Sequence, residues 1–167
     1  QEKQGPPIVI RQAMEFKERF DFPGSTVSVS GWGTSNATLK YGDEKTNPTV
    51  LVFGGDDNYL KVEGYDLDYG RNFTNVEEES GTQVAIIGMD IVNDLFKKNA
   101  LAAMGKDVLI DNRRFTVIGI LTSKGATMNQ SADRRVIIPL FTLRNLYGYA
   151  NKNYDINATT ASATDLD

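Results

Sequence analysis

Residues 81–96 read GTQVAIIGMDIVNDLF. Gln83 to Ile87 is a short, nearly continuous apolar run, the pattern of a buried strand. Past Gly88, the pairs Ile91/Leu95 and Val92/Phe96 stand four residues apart, which sets each pair on one face of a helix. The stretch therefore predicts strand, turn, helix. Downstream, Val108 to Ile110 and Arg114 to Leu121 are runs rich in β-branched residues around Asp111-Asn112. Asp and Asn tolerate positive φ, so this two-residue connection suits a tight hairpin. Arg135 to Ile138 predicts another strand. Thr142 is placed as the N-cap of a helix through Leu143, Leu146 and Tyr147 that stops at Gly148, and Tyr154 to Ala158 reads as the start of one more strand.

Upstream the signals are shorter. Gln1 to Pro7 is polar with two prolines and reads as a tether. Ala13, Phe16 and Phe20 recur at spacings of three and four, which predicts a helix from about Arg11 to Arg19 with those residues on its packed face, ended before Pro23-Gly24. Val27 to Ser30 alternates like a half-buried strand, and Gly31-Trp32-Gly33 reads as a flexible break. Strand-like runs follow at Ala37 to Tyr41, Thr49 to Phe53 and Tyr59 to Val62, and Glu77-Glu78-Glu79-Ser80-Gly81 reads as an acidic loop. The expected class is α+β: a mixed sheet packed with a few short helices, plus a strand-rich sublobe over about residues 27–65. The expected division is a tether over 1–10, a core domain over 11–150, and the start of a further strand or helix, apparently truncated, over 151–167.

Composition excludes much of the usual chemistry. The chain has 167 residues, 40% apolar and 24% charged, with neither cysteine nor histidine. Cys/His zinc sites, Ser-His-Asp triads, cysteine nucleophiles and disulfide scaffolds are thereby ruled out. The formal net charge of −4 argues against a nucleic-acid surface. Acidity is concentrated early: residues 1–80 carry 8 basic against 14 acidic residues, residues 81–167 carry 10 against 8. The longest apolar runs fall far short of the ~20 residues that cross a bilayer.

Each candidate constellation has a plainer reading beside it. Asp56, Asp57, Asp66 and Asp68 lack the register of a calcium loop. Glu77 to Glu79 lie in one segment, whereas a glycosidase needs two carboxyls facing a sugar from different elements. Trp32, Tyr41, Phe53, Tyr59, Tyr65 and Tyr69 supply aromatic surface for a glycan or peptide, and core packing explains such residues equally well. No catalytic, cofactor-binding or metal-binding set emerges, and no cofactor is expected.

Five phrases in order carry a resemblance: Gly55-Asp56-Asp57-Asn58-Tyr59; Gly70-Arg71-Asn72-Phe73-Thr74; Gly81 to Gly88 followed by Leu95-Phe96; Gly105-Lys106-Asp107-Val108-Leu109-Ile110-Asp111 with Phe115 to Leu121; and Val136-Ile137-Ile138-Pro139-Leu140-Phe141-Thr142. This order over Val50 to Gly148 resembles the MacB-like periplasmic core domain of FtsX-like ABC transporter permeases. The resemblance implies a non-enzymatic segment on the periplasmic side of the bacterial inner membrane, following a membrane helix. Its implied partners are its own transmembrane helices, a second permease copy, an ABC ATPase acting through the membrane part, and a periplasmic adaptor or envelope protein, with no nucleic acid. Within it, Gly70 is expected to allow a turn, Phe73 to enter the core and Arg71 to pin a loop through a carboxylate or carbonyls, with docking as the other reading of Arg71. The polar loop from Lys124 to Asp133 is the expected contact surface, because loops carry variable binding residues. The candidate docking residues are therefore Arg71, Lys124, Thr127, Met128, Asn129 and Gln130. The alternative, from a different class, is a secreted or periplasmic module binding glycans or peptides through its aromatic residues.

Overall fold

The computed structural model describes residues 9–20, 24–123, 130–148 and 154–160. In chain order the elements are α1 (Ile10–Arg19), β1 (Ser25–Ala37), β2 (Leu39–Tyr41), β3 (Glu44–Lys45), β4 (Val50–Gly55), α2 (Tyr59–Glu63), β5 (Leu67–Gly70), α3 (Asn75–Ser80), β6 (Val84–Ile87), α4 (Met89–Phe96), α5 (Ala100–Ala103), β7 (Asp107–Ile110), β8 (Arg113–Leu121), a 3-10 turn (Gln130–Arg134), β9 (Arg135–Pro139), α6 (Leu140–Tyr147) and β10 (Tyr154–Thr160). Among the described residues the strands form one sheet in the order β10, β1, β4, β9, β6, β8, β7, β2, β3, with β5 also paired to β8. It is mixed: β4 runs parallel to β9 and β6 parallel to β8, whereas β6 and β9 are antiparallel.

The central strands explain the layering. Ile86, Ile87, Ile137 and Ile138 are all fully buried, and successive residues of a strand face opposite sides, so β6 and β9 need cover on both. On one side Ile10 and Ala13 of α1, Ile91, Val92, Leu95 and Phe96 of α4, and Leu140 and Leu143 of α6 pack with Val29, Val52, Ile87, Val117 and Ile138. On the other, Tyr59 and Leu60 of α2 join Tyr65 and Phe73 over Ile86, Ile118 and Ile137. Each buried isoleucine contributes about 2 kcal/mol relative to exposure.

Much of the expected architecture is present. The α+β class holds, and α4 buries both of its i,i+4 pairs. The β7–β8 hairpin turns at Asp111 and Asn112, whose φ values are +48° and +72°. The Asp111 carboxylate also accepts from the Thr38 amide at 3.0 Å, which ties the hairpin to the β1–β2 junction. The strand-rich segment 27–65 is built into the common sheet, with β1 beside β4, β4 beside β9 and β2 beside β7.

Five local expectations are corrected. Gly31-Trp32-Gly33 is no break but the interior of β1: the two glycines leave room for Leu143, which a Cβ at Gly31 would approach to 2.8 Å and one at Gly33 to 3.0 Å. Val27 to Ser30 is buried throughout rather than half-buried, because α1 and the residues after β4 cover its two sides. Tyr59 to Val62 is helical, because the Asp56 carbonyl accepts from the Tyr59 amide and Gly64 ends the turn in left-handed geometry. Glu77 to Ser80 is helical too, since Thr74 and Glu77 form a reciprocal capping box. Thr142 lies inside α6, which starts directly from β9 after Pro139, and its buried hydroxyl donates to the Thr82 carbonyl at 2.7 Å.

The packed face of α1 also differs from the expected one. Phe16 and Phe20 stack on each other at 5.4 Å, with Phe16 44% exposed. The inward positions are Ile10, Ala13 and Lys17, again at helical spacing. The helix thus carries an ammonium group to the body of the domain.

Leu143 fills space that the glycines of β1 and β4 leave open, so Leu143→Ala is expected to cost about 3 kcal/mol through an unfilled cavity. Leu101, 69% exposed on α5, is expected to change stability by less than ~0.5 kcal/mol on the same substitution. Urea unfolding of the two variants checks the contrast.

Candidate docking surface

Arg71 follows a backbone position open to glycine alone. Gly70 has φ +85°, and a Cβ there would run into the Ile118 carbonyl oxygen of β8. The close approach lets the Arg71 amide donate to that same oxygen at 3.0 Å. The guanidinium then reaches forward and donates to both carboxylate oxygens of Glu77 at 2.8 Å each, and to the Asn72 carbonyl at 3.0 Å. Its hydrogen bonds, reinforced by the Thr74 amide and hydroxyl arrangement, hold the Glu77 carboxyl down at about 2. Phe73, between them, is buried. Arg71 is therefore a surface clamp that fixes the chain entering α3, and half of its side chain faces solvent.

The other expected docking residues are elsewhere. Lys124, Thr127, Met128 and Asn129 lie outside the described residues, and Gln130 opens the 3-10 turn with its side chain undescribed. The base of that loop is tied down: the Ser123 hydroxyl donates to Asp133 at 2.9 Å, and the Thr122 hydroxyl donates to Asp68 at 2.8 Å. Arg71 is anchored beside Ile118, five residues of extended chain from Ser123, or roughly 16 Å along the strand. Arg71 and the base of the loop therefore lie toward opposite ends of β5.

A second polar assembly was not among the sequence candidates. The Lys17 ammonium donates to Asp56 at 2.8 Å and to Asp57 at 2.7 Å. Asp56 is fully buried and also accepts from the amides of Val29 at 2.8 Å and Asn58 at 3.0 Å. Glu78 of α3, equally buried, accepts from the Asp57 amide at 3.3 Å, and its second oxygen has no hydrogen-bond partner. Burial pushes the Glu78 carboxyl up to about 7, with the Asp56 and Asp57 charges adding to the rise and Lys17 opposing it. The capping pattern Thr74-x-x-Glu77 was the available signal for this helix. Nothing local shows that the middle glutamate turns inward.

Three of the aromatic residues, Phe53, Tyr59 and Tyr65, meet around Arg135 rather than on an exposed face. Tyr59 and Tyr65 are buried, and Tyr41 packs on Phe96 at 4.5 Å. Arg135 lies 4.1 Å over the Phe53 ring and donates to the Tyr65 hydroxyl. Trp32 on β1 and Tyr69 on β5 are the exposed pair, five strand spacings apart in the sheet, or roughly 24 Å. Among the described residues no group of three or more acidic side chains is placed to hold a metal ion, and no helix is long and apolar enough to cross a membrane.

Glu77 titrates below its ordinary value of 4.5, so its contribution is present above that value and fades as pH falls toward 2. Arg71→Ala is expected to raise the Glu77 titration, read by carboxyl NMR, part of the way back. Solvent around Arg71 limits the accompanying stability loss to under ~1 kcal/mol.

The chain matches the family described as the MacB-like periplasmic core domain over residues 2–167. It is 34% identical over 109 residues, 64% of its length, to the pyoverdine export ATP-binding/permease protein PvdT of Pseudomonas fluorescens. It is also 34% identical over 108 residues, 65% of its length, to the macrolide export ATP-binding/permease protein MacB of Bdellovibrio bacteriovorus. These matches cover 16% of each relative. The fold is similar to the periplasmic region of MacB from Actinobacillus actinomycetemcomitans, with TM-score 0.72 and 19% identity, covering 94% of this chain and 67% of that one. It is likewise similar to the extracellular domain of the transporter YknZ from Gram-positive bacteria, with TM-score 0.70 and 22% identity, covering 96% and 76%. Matched across nearly its whole length by one family and sharing the sheet and helix layers of these solved domains, the chain belongs to the MacB-like periplasmic core domain family.

Proposed function

We propose that this chain is the extracytoplasmic part of an ABC-type export permease. It takes no part in ATP hydrolysis and relays movement of the membrane helices to substrate export or to a docked envelope partner. The observation that carries the reading is the family match from residue 2 to residue 167. Relatives named for pyoverdine export and for macrolide export share the domain while differing in the cargo of their names, so the cargo here is left as a small exported compound. In this reading the domain stands on the periplasmic side of the inner membrane. Its partners are its own transmembrane helices, a second permease copy, the ATPase component reached through the membrane part, and a periplasmic adaptor or envelope protein.

Arg71, held outward by Glu77, and the loop carrying Lys124, Thr127, Met128, Asn129 and Gln130 are the proposed docking elements.

Two measurements test this. The parent gene is expected to encode apolar runs of about 20 residues on both sides of the segment, and a reading frame holding only a cleavable leader sinks the permease reading. In the full-length protein, removal of residues 126–130 together with Arg71→Ala is expected to lower export at least tenfold while the domain stays folded by circular dichroism. Undiminished export by the folded variant removes the docking assignment.

A further inference from the structure

We propose that α3 is a proton-gated element, docked on the body of the domain while Glu78 carries a proton and released when that carboxyl ionises. The inference stands apart from the transport reading and rests on an inversion in the helix. Glu78 is the residue that α3 buries, at 0% exposure, whereas Val76 is 73% exposed. Two residues of α-helix turn the chain by about 200°, so the apolar side chain faces water and the acid faces the interior.

The surroundings of Glu78 favour the neutral form. One oxygen has a long hydrogen bond from the Asp57 amide and the other has none. The nearby cation, Lys17 of α1, already serves Asp56 and Asp57 of the β4–α2 turn. An ionised Glu78 makes a third carboxylate for one ammonium, two of the three fully buried. Other elements do not relieve this. On α3 itself Glu77 is engaged by Arg71 and Glu79 is exposed. On α6, Arg144 lies over the Phe141 ring at 4.9 Å, and on β9, Arg135 lies over Phe53. A buried carboxylate with too few partners costs several kcal/mol, and moving α3 outward hydrates it.

The helix is built to move as a unit. Its N-terminus is closed by the Thr74/Glu77 capping box and its C-terminus by Gly81 at φ +68°, whose amide is bonded within the helix. The Arg71 clamp tethers the end that stays beside β8. Burial raises the Glu78 carboxyl from 4.5 to about 7, so the docked state is favoured fully below 4.5 and loses that preference as pH rises through 7. The docking equilibrium therefore changes by up to ~300-fold between the two limits.

The test uses the absence of cysteine in the sequence. Spin labels on Val76→Cys and Leu101→Cys, both exposed sites, report the distance from α3 to α5 between pH 5 and 8. A displaced population is expected to grow with a midpoint near 7, and Glu78→Gln is expected to hold the docked distance throughout. Carboxyl NMR of the unlabelled chain is expected to place the Glu78 titration in the same range. A Glu78 titration near 4.5, a distance distribution that ignores pH, or an equal change in Glu78→Gln overturns the proposal. Should the glutamine variant fail to fold, the carboxyl titration and the pH series of the parent chain decide it alone.

Discussion

Burial of β6 and β9 on both faces is the constraint from which the remainder of the structure follows. A strand with isoleucine at consecutive positions has no side to offer to water, so both faces of the sheet centre must be roofed. One roof is made of regular helices with alternating apolar positions, α4 and α6 foremost. The other is thinner, assembled from the short helix α2, Tyr65 and Phe73. Short connections that return over a sheet cannot bury long apolar stripes, and the segments after β4 and β5 take up the task with aromatic side chains.

Where apolar cover ends, charged groups hold the periphery together. Lys17 is the last inward position of α1, and it meets Asp56 at the point where β4 runs out of sheet. Asp56 accepts from an ammonium and two backbone amides, which oppose, without cancelling, the rise that burial imposes on its carboxyl. Glu78 has one backbone amide on one oxygen and no hydrogen bond on the other, and burial is the largest cause of the rise in its carboxyl. The two acidic groups of this region thus share their burial and the upward push it gives, and they differ in the number of partners.

The family relationship fits the distribution of rigid and polar parts. The sheet and its helical cover form the body of the domain, and Arg71 and the base of the loop after Ser123 lie along β5. Among the described residues, Trp32 and Tyr69, the exposed members of the aromatic set, stand on strands far apart in the sheet.

The sequence by itself determined the elements whose signals are local. The β7–β8 hairpin follows from Asp111-Asn112 between β-branched runs, α4 from its i,i+4 pairs, β6 from its continuous apolar residues, and the Gly70 turn from the need for a residue without Cβ. Five ordered phrases were enough for the family. Only the tertiary structure decided that Gly31 and Gly33 are strand interior, because their partner is Leu143 more than a hundred residues away. The same holds for the face that α1 presents and for the side to which Glu78 turns. Periodicity tells which residues share a side of a helix, but burial of a charge depends on partners brought from distant segments, here Lys17 and the Asp56-Asp57 turn, and their meeting is a property of the folded chain.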